Sequence, residues 1–541
     1  MEIKGQIDDI IFVNENNSYT VCSIVLEKEI ITAVGYLPFI NIGDIIVAKG
    51  DFVKHNTYGE QFKIETFEKT MPNTTKEIEK YLGSGIIKGI GPATSKKIVD
   101  RFGEDTVYVL QFEPYKLAQI KGITSEKAQQ ISDEFNNVWE LWKIVMFLQQ
   151  YGIGTTNANR VYKELGINAT EKIKENPYIL LKFLYGVDFK SVDRMALTMG
   201  IEHDSVHRIS SGIKYAMNLA SKNGNTCVQK DKLVEYTANV LNVNIDAVEN
   251  EFTALCYAKE MYVENGYAFI SDYYIAEENV AKKMLLLANS KNKTNVNLDK
   301  KIEEFEKELK ITLSNEQKSA VKMVFKNKLS IITGGPGTGK TTIIKMLIKL
   351  LKYEELEFAL CAPTGRAAKR ITETTGEEAK TLHRLLELGK MEDDTININY
   401  EVTRLKQDVV IVDEMSMVDI ILMNYLSKAI QEKTRLILIG DSDQLPSVGP
   451  GSVLKDLIES QKIPTQKLTE IYRQAAESQI ITNAHKINMG QEDLELNKKD
   501  GDFFFIRETN LLSQIIEIIG TRLPKMRLLW YTKRRSGIDT D

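Results

Sequence analysis

Three rhythms of apolar and polar residues succeed one another along the chain. From residue 1 to about 71, short runs alternate with a period of two: Gly5–Val13, Tyr19–Leu26, Ile30–Tyr36, Ile45–Val53 and Gln61–Phe67. Turn-rich pieces such as Asn14-Glu15-Asn16-Asn17 and Tyr58-Gly59-Glu60 separate them, so the pattern predicts five short, half-buried strands. From 72 to about 203 the apolar spacing becomes helical. It is interrupted by tight glycine turns at Gly89-Ile90-Gly91, Gly122-Ile123-Thr124, Gly152-Ile153-Gly154 and Gly186-Val187-Asp188, with spacings of 33, 30 and 34 residues. Residues 204–290 predict three helices and then a hairpin, because Met261–Glu264 and Tyr267–Ile270 flank Asn265-Gly266. Ala288 to Lys310 is polar and charge-dense, which predicts a linker over 291–310 carrying a solvated helix. Beyond it lie mostly apolar strand-like runs, each ending in a polar or glycine-rich turn.

These elements predict a multidomain α/β chain. At 541 residues it is too long for one core, and three to five domains are expected. Five strands over 1–71 suit a small OB-like β-barrel, a fold that serves both as a single-strand binder and as a docking module. In 72–203 the first and third turns follow the helix-hairpin-helix pattern. There, backbone N–H groups at Gly89 and Gly91, and at Gly152 and Gly154, would face a DNA phosphate, with Lys88, Lys96, Lys97, Arg101, Arg160 and Lys163 nearby. The alternative is that all four turns are packing corners of a helical scaffold. Helices followed by a hairpin over 204–290 suggest a winged-helix-like module. His203 and His207 lie four apart, but without HExxH or a third ligand they read as a solvated helix face.

The chemistry concentrates in 311–490. The apolar run Leu329-Ser330-Ile331-Ile332 breaks into Gly334-Gly335-Pro336-Gly337-Thr338-Gly339-Lys340-Thr341, the GxxxxGK(S/T) phosphate loop. Glycines let the loop from Gly335 to Thr342 curl so that its backbone N–H groups, which Pro336 lacks, converge on phosphate oxygens; Lys340 supplies a point charge, and Thr341 offers a hydroxyl to Mg²⁺. Upstream, the amide of Gln317 suits adenine's N6/N7 edge. Phe358–Ala362 ends in Pro363-Thr364-Gly365-Arg366-Ala367-Ala368, a turn and helix start placed for phosphate contact. Val409–Val412 ends in Asp413-Glu414, 73 residues after Lys340; one carboxylate suits a metal shell and its neighbour a base that polarises water. Arg435–Ile439 leads to Gly440-Asp441-Ser442-Asp443-Gln444, where Gln444 can orient water or sense the γ-phosphate. Arg473, in Leu468-Thr469-Glu470-Ile471-Tyr472-Arg473-Gln474, suits the charge developing on a transferring phosphoryl group.

The ordered series GGPGTGKT, APTGRAA, VDEMSMVD, GDSDQLPSVGPG and LTEIYRQ resembles a superfamily 1 DNA helicase of the RecD-like type. The hairpin-helix extension is similar to that of the stand-alone bacterial members. The resemblance implies two RecA-like P-loop lobes around ATP and Mg²⁺, and a motor that moves 5′ to 3′ on single-stranded DNA and opens tailed duplex, in DNA repair or recombination. It also implies roles: Gln317 at adenine, Lys340 and Thr341 at phosphate and Mg²⁺, and Asp413 in the metal shell. Glu414 would be the general base, with Gln444 and Arg473 at the γ-phosphate. Thr364, Arg366 and His383 would face the DNA strand. A polar insert over 387–406 matches the place of a strand-splitting hairpin, or is a plain surface hairpin.

Only 68 residues follow Arg473, so the second lobe, begun at 491–541, is expected to be incomplete, with the basic run after Met526 unlike the rest. Unwinding is then expected to be impaired, and an ATP-regulated DNA-binding protein is the alternative. With net charge −5, DNA contact is expected from local patches rather than the whole-chain field. Four scattered cysteines without a CxxC pair exclude a zinc or disulfide framework and suit a cytoplasmic, non-membrane protein, expected to be monomeric. The five histidines form no cluster of the kind that a relaxase fusion needs.

Overall fold

A computed structural model describes residues 1–504 except 15–18, 27–28, 38–39, 41, 56–58, 71–73, 85–86, 152, 154–156, 167, 185–186, 293–296, 389–399, 471–476 and 497–500. Gly152, Gly154, Arg473, the centre of the 387–406 insert and, of the expected second-lobe segment 491–541, residues 497–500 and everything from 505 therefore lie outside the described residues. Contacts divide the chain into two compact units: Met1–Tyr215 with Val234–Ala254, and Ala216–Leu233 with Leu255–Asp541.

In the first unit, β1 (Glu2–Val13), β2 (Tyr19–Val25), β3 (Ile30–Tyr36), β4 (Ile45–His55) and β5 (Gly59–Thr70) close a barrel in the order β1-β2-β3-β5-β4. The period-two pattern explains it: alternate residues Thr20, Cys22 and Ile24 of β2 point inward, and Ile7, Ala33, Ile46 and Phe62 fill the same interior. Burial pushes the Cys22 thiol up to about 12, so it behaves as a small apolar side chain. Residues 1–72 carry eleven carboxylates against six lysines and no arginine. That balance opposes backbone-driven binding of a nucleic acid strand to the barrel.

The helices that follow turn on glycine where the backbone demands it. Gly89 has φ 94° and Gly122 φ 101°, conformations costly for any side chain. Gly91, at φ −103°, instead caps the helix Pro92–Phe102, with proline in its first turn. Arg208 is buried, and its guanidinium donates to both Asp193 oxygens at 2.8 and 3.0 Å and to the carbonyls of His203 and Leu241. His203 lies just before the helix Val206–Lys222 and His207 inside it; both are exposed.

In the second unit, β6 (Cys227–Gln229), β7 (Met261–Glu264) and β8 (Tyr267–Ile270) form a sheet in the order β6-β8-β7. Asn265 at φ 52° and Gly266 at φ 81° make the two-residue turn that the sequence signals. A second, parallel sheet orders as β11-β10-β12-β13-β9-β14. Its strands are β9 (Leu329–Gly334), β10 (Phe358–Ala362), β11 (Ala379–Thr381), β12 (Val409–Val412), β13 (Arg435–Gly440) and β14 (Thr465–Leu468). Both faces are covered, so β9, β12 and β13 are buried throughout. Alternate residues feed two cores. Val410, Val412, Leu436 and Leu438 pack with the helices Ser271–Ala288 and Ile420–Ala429. Val409, Ile411, Ile437 and Ile439 pack with Asn315–Lys326 and Lys340–Tyr353.

One expectation is corrected here. The charge-dense stretch is not a linker with a solvated helix: within Leu298–Leu309, Leu298 and Ile302 are buried in the second of these cores, with Phe305 and Leu309 packed against it. The apolar stripe at helical spacing outweighs the charges around it, which pair outward, as in Lys349–Glu308 at 2.6 Å.

Candidate nucleotide site

In a parallel sheet, the loops after each strand collect at the carboxyl edge, where ligands bind. After β9 comes the phosphate loop, after β10 Thr364, after β12 Asp413-Glu414, and after β13 Asp441–Gln444. The phosphate loop, Asp413-Glu414 and Gln444 border a cavity of about 500 Å³ whose lining includes Gly335 to Thr342, Arg370, Asp413, Glu414 and Gln444. Six of the proposed loop and cofactor positions, together with Lys340, Thr341, Asp413, Glu414 and Gln444, thus share one space. Gly337 and Gly339 both sit at φ 80°, which lets the loop curl ahead of the helix Lys340–Tyr353.

Several carbonyls of the curl find donors within the fold. Lys340 Nζ donates to the Gly334 carbonyl at 2.5 Å and that of Gly335 at 3.1 Å. Thr338 Oγ1 also donates to Gly335 O, at 2.8 Å. The Thr338 carbonyl accepts from Gln317 Nε2 at 3.1 Å. Gln317 is buried, its Oε1 accepts from Ser314 N in a capping box, and it does not line the cavity. In this arrangement its amide steadies the loop, with one N–H and one lone pair used. The neighbouring Glu316 accepts from Thr469 N at 2.7 Å, Thr469 Oγ1 at 2.6 Å and Glu470 N, which holds its carboxyl below the usual range.

Asp413 and Glu414 differ in environment. Burial pushes Asp413 from 3.8 up to about 6; the N–H of Glu414 and the charges of Lys340 and Arg370 oppose the rise, and Glu414's charge adds to it. A desolvated carboxylate of this kind, on the same cavity wall as Thr341, fits a divalent cation as its missing counter-charge. Glu414 has φ 55° and ψ 43°, a left-handed conformation for a residue with a long side chain, and its N–H donates to Asp413 Oδ1 at 2.9 Å. Such backbone strain concentrates at functional sites.

The raised Asp413 yields a stability prediction. Its pKa in the folded chain exceeds the unfolded value, so the folded chain binds more protons between about pH 4 and 6 and loses stability as pH rises through that window. Asp413→Asn should raise the Tm of the nucleotide- and metal-free chain at pH 8, by on the order of 1–3 kcal/mol in stability, with the gain shrinking toward pH 4. Thermal melts at the two pH values check it; an unchanged or lower Tm at pH 8 contradicts the desolvated carboxylate.

Thr364 caps the helix Gly365–Thr375, accepting from Ala367 N at 3.3 Å. Arg366 and His383 are exposed, outside the cavity lining. Five residues escaped sequence reasoning. Arg370, Thr374 and Thr375 line the cavity from that same helix; Arg370 lies one turn beyond Arg366, and this i, i+4 spacing was the available signal. Ile481 lines it from the distant helix Gln479–Asn488, and on that helix His485 Nε2 lies 3.2 Å from the Pro336 carbonyl. Among the described residues no group of three or more His, Cys, Asp or Glu is arranged to hold a metal, and no helix is long and apolar enough to cross a membrane.

Residues 1–72 match the family model for the OB-fold domain of the ATP-dependent DNA helicase YrrC. Residues 75–138 and 139–227 match the HHH domain of ATP-dependent RecD2 DNA helicases, and 312–507 match an AAA domain. Over 515 residues the chain is 29% identical to the ATP-dependent RecD2 DNA helicase of Deinococcus radiodurans, covering 90% of this chain and 70% of that protein. It is 41% identical over 168 residues to the RecBCD enzyme subunit RecD of Mycolicibacterium smegmatis, covering 27% of this chain and 30% of that one. Among solved structures, the Pif1 helicase from Candida albicans overlaps 33% of this chain and 44% of its own at 27% identity, with a TM-score of 0.25.

Proposed function

The chain belongs to the RecD-like family of ATP-dependent DNA helicases, and from that premise we propose that it couples ATP hydrolysis to 5′–3′ movement on single-stranded DNA and to opening of tailed duplex, in DNA repair or recombination. The observation that carries the reading is the cavity itself. Loops from β9, β12 and β13 bring a phosphate cradle, a cation-seeking carboxylate, a candidate base and a water-orienting amide to one carboxyl edge. Thr341 and Asp413 are the residues that would hold Mg²⁺, which when bound supplies neutralising charge to the phosphates. Lys340 leaves the Gly334 and Gly335 carbonyls to meet the β- and γ-phosphates, Glu414 takes the proton of the attacking water, and Gln444 orients that water. Arg473 belongs to this reading as the cation for the developing γ-phosphate charge.

On the DNA side, Thr364, Arg366 and His383 serve the single strand, and the turns at Gly89-Gly91 and Gly152-Gly154 serve duplex phosphates. We take the working form to be a cytoplasmic monomer. The test uses duplexes with a 5′ tail, a 3′ tail or no tail, with ATP and Mg²⁺, and DNA affinity measured against salt. Expected is unwinding of the 5′-tailed substrate alone, with log affinity falling linearly against log salt. DNA-stimulated ATPase without strand separation would favour the ATP-regulated DNA-binding alternative. Unwinding from a 3′ tail would overturn the polarity.

A further inference from the structure

We propose that His485 is a positioning residue for the phosphate loop, bracing its Gly335-Pro336 segment from outside the motif, and that Gly335 is glycine because of it. The inference rests on the ATP-driven reading above and names a residue that reading does not use.

The first ground is the loop's own accounting of hydrogen bonds. A phosphate loop works when its N–H groups converge on an anion, so its carbonyls must turn outward and find donors. Those of Gly334 and Gly335 face Lys340 Nζ, and that of Thr338 faces Gln317. Pro336 O faces His485 Nε2 at 3.2 Å. Lys340 must depart when phosphate arrives, and the brace it gives the front of the loop departs with it. His485 has no such second duty: it lies outside the cavity lining. In its Nε2–H form it continues to hold Pro336 O while Lys340 is engaged elsewhere.

The second ground is steric. Gly335 occupies an unrestricted position of GxxxxGK(S/T), and its φ is not in the left-handed region, so neither the motif nor the backbone requires glycine there. What requires it is the imidazole: a methyl group at Gly335 would lie 2.6 Å from His485 Cε1 and 3.2 Å from Nε2. The ring therefore packs flush on the loop backbone.

The third ground is the mounting of the ring. Its helix, Gln479–Asn488, is tied down at several points. Asp502 accepts from Ser478 Oγ at 2.5 Å and from the N–H groups of Gln479 and Ile480. Asn483 and Glu495 exchange a reciprocal pair at 2.7 and 2.8 Å, and Lys486 donates to the Asp493 carbonyl at 2.8 Å. These bonds fix the helix that carries His485, and Ile481, one turn earlier on the same face, meets the nucleotide cavity directly.

The test is a double-mutant cycle on the full chain, read by direct binding of a fluorescent ATP analogue and by steady-state ATPase. His485→Ala should weaken nucleotide binding and raise the KM for ATP about 3–10-fold, the range of one hydrogen bond, with kcat nearly unchanged. His485→Gln, which keeps an N–H donor, should recover most of that loss. Gly335→Ala should weaken binding in the wild-type background but far less once His485→Ala has emptied the space, making the cycle non-additive. An additive cycle, or a His485→Ala variant that binds like wild type, overturns the brace. A wild-type chain that binds no nucleotide overturns the ATP-driven reading beneath it, so the two failures are distinct.

Discussion

Lys340→Ala is expected to reduce DNA-stimulated ATP turnover about 10²–10³-fold, the cost of removing one preorganised phosphate donor, while DNA affinity stays close to wild type. The geometry gives two reasons. Lys340 is the cation carried by the phosphate loop itself, and its ammonium rests on two carbonyls of that loop from which it has only to swing. No residue assigned to DNA shares the cavity lining: Arg366 and His383 lie elsewhere, and the hairpin-helix turns belong to the other unit. Because a lysine acts as a point charge rather than a fork, Lys340→Arg should not rescue. Steady-state ATPase and equilibrium DNA binding on the same preparations check this. Turnover unaltered in Lys340→Ala would overturn the assignment of the loop as the working phosphate site.

Much of this site was legible because its parts are local. The phosphate loop, Asp413-Glu414 and Gln444 each come after a strand that is buried throughout. In a parallel sheet, a motif at a strand's end falls at the carboxyl edge whatever the sequence between motifs does. The barrel was legible for a similar reason, since period-two burial in β2 is visible in Thr20, Cys22 and Ile24. What escaped was long-range. Ile481 and His485 reach the phosphate loop from about 140 residues downstream, and a motif search has no term for such an approach. Gln317 is instructive in the opposite sense. Its residue type suits an adenine edge, and the structure adds a role that the residue type does not announce: it bonds Ser314 N and the Thr338 carbonyl and so ties the loop to its helix. The helix Leu298–Leu309 was misjudged because its charges were weighed and its stripe of Leu298, Ile302, Phe305 and Leu309 was not.

The same distinction between residue type and environment separates Glu414 from Asp413, and it sets the second large effect. Glu414→Gln is expected to lower kcat about 10²–10⁴-fold, the range of a lost general base, with little change in the KM for ATP, because the amide keeps the shape and removes only the basicity. Asp413→Asn should instead raise the Mg²⁺ concentration needed for half-maximal activity, since Asp413 is the buried carboxylate and the candidate for holding the cation. The backbone supports giving the proton to Glu414. At φ 55° and ψ 43° it leaves the direction of β12, so two adjacent carboxylates need not point the same way. Asp413, anchored by the Glu414 N–H, stays at the strand's end. Single-turnover ATPase at saturating nucleotide, with nucleotide affinity measured separately, isolates the chemical step from binding. A Glu414→Gln variant that keeps more than about a tenth of wild-type turnover would place the base elsewhere, and Asp441, buried at the end of β13, would be the next carboxylate to examine.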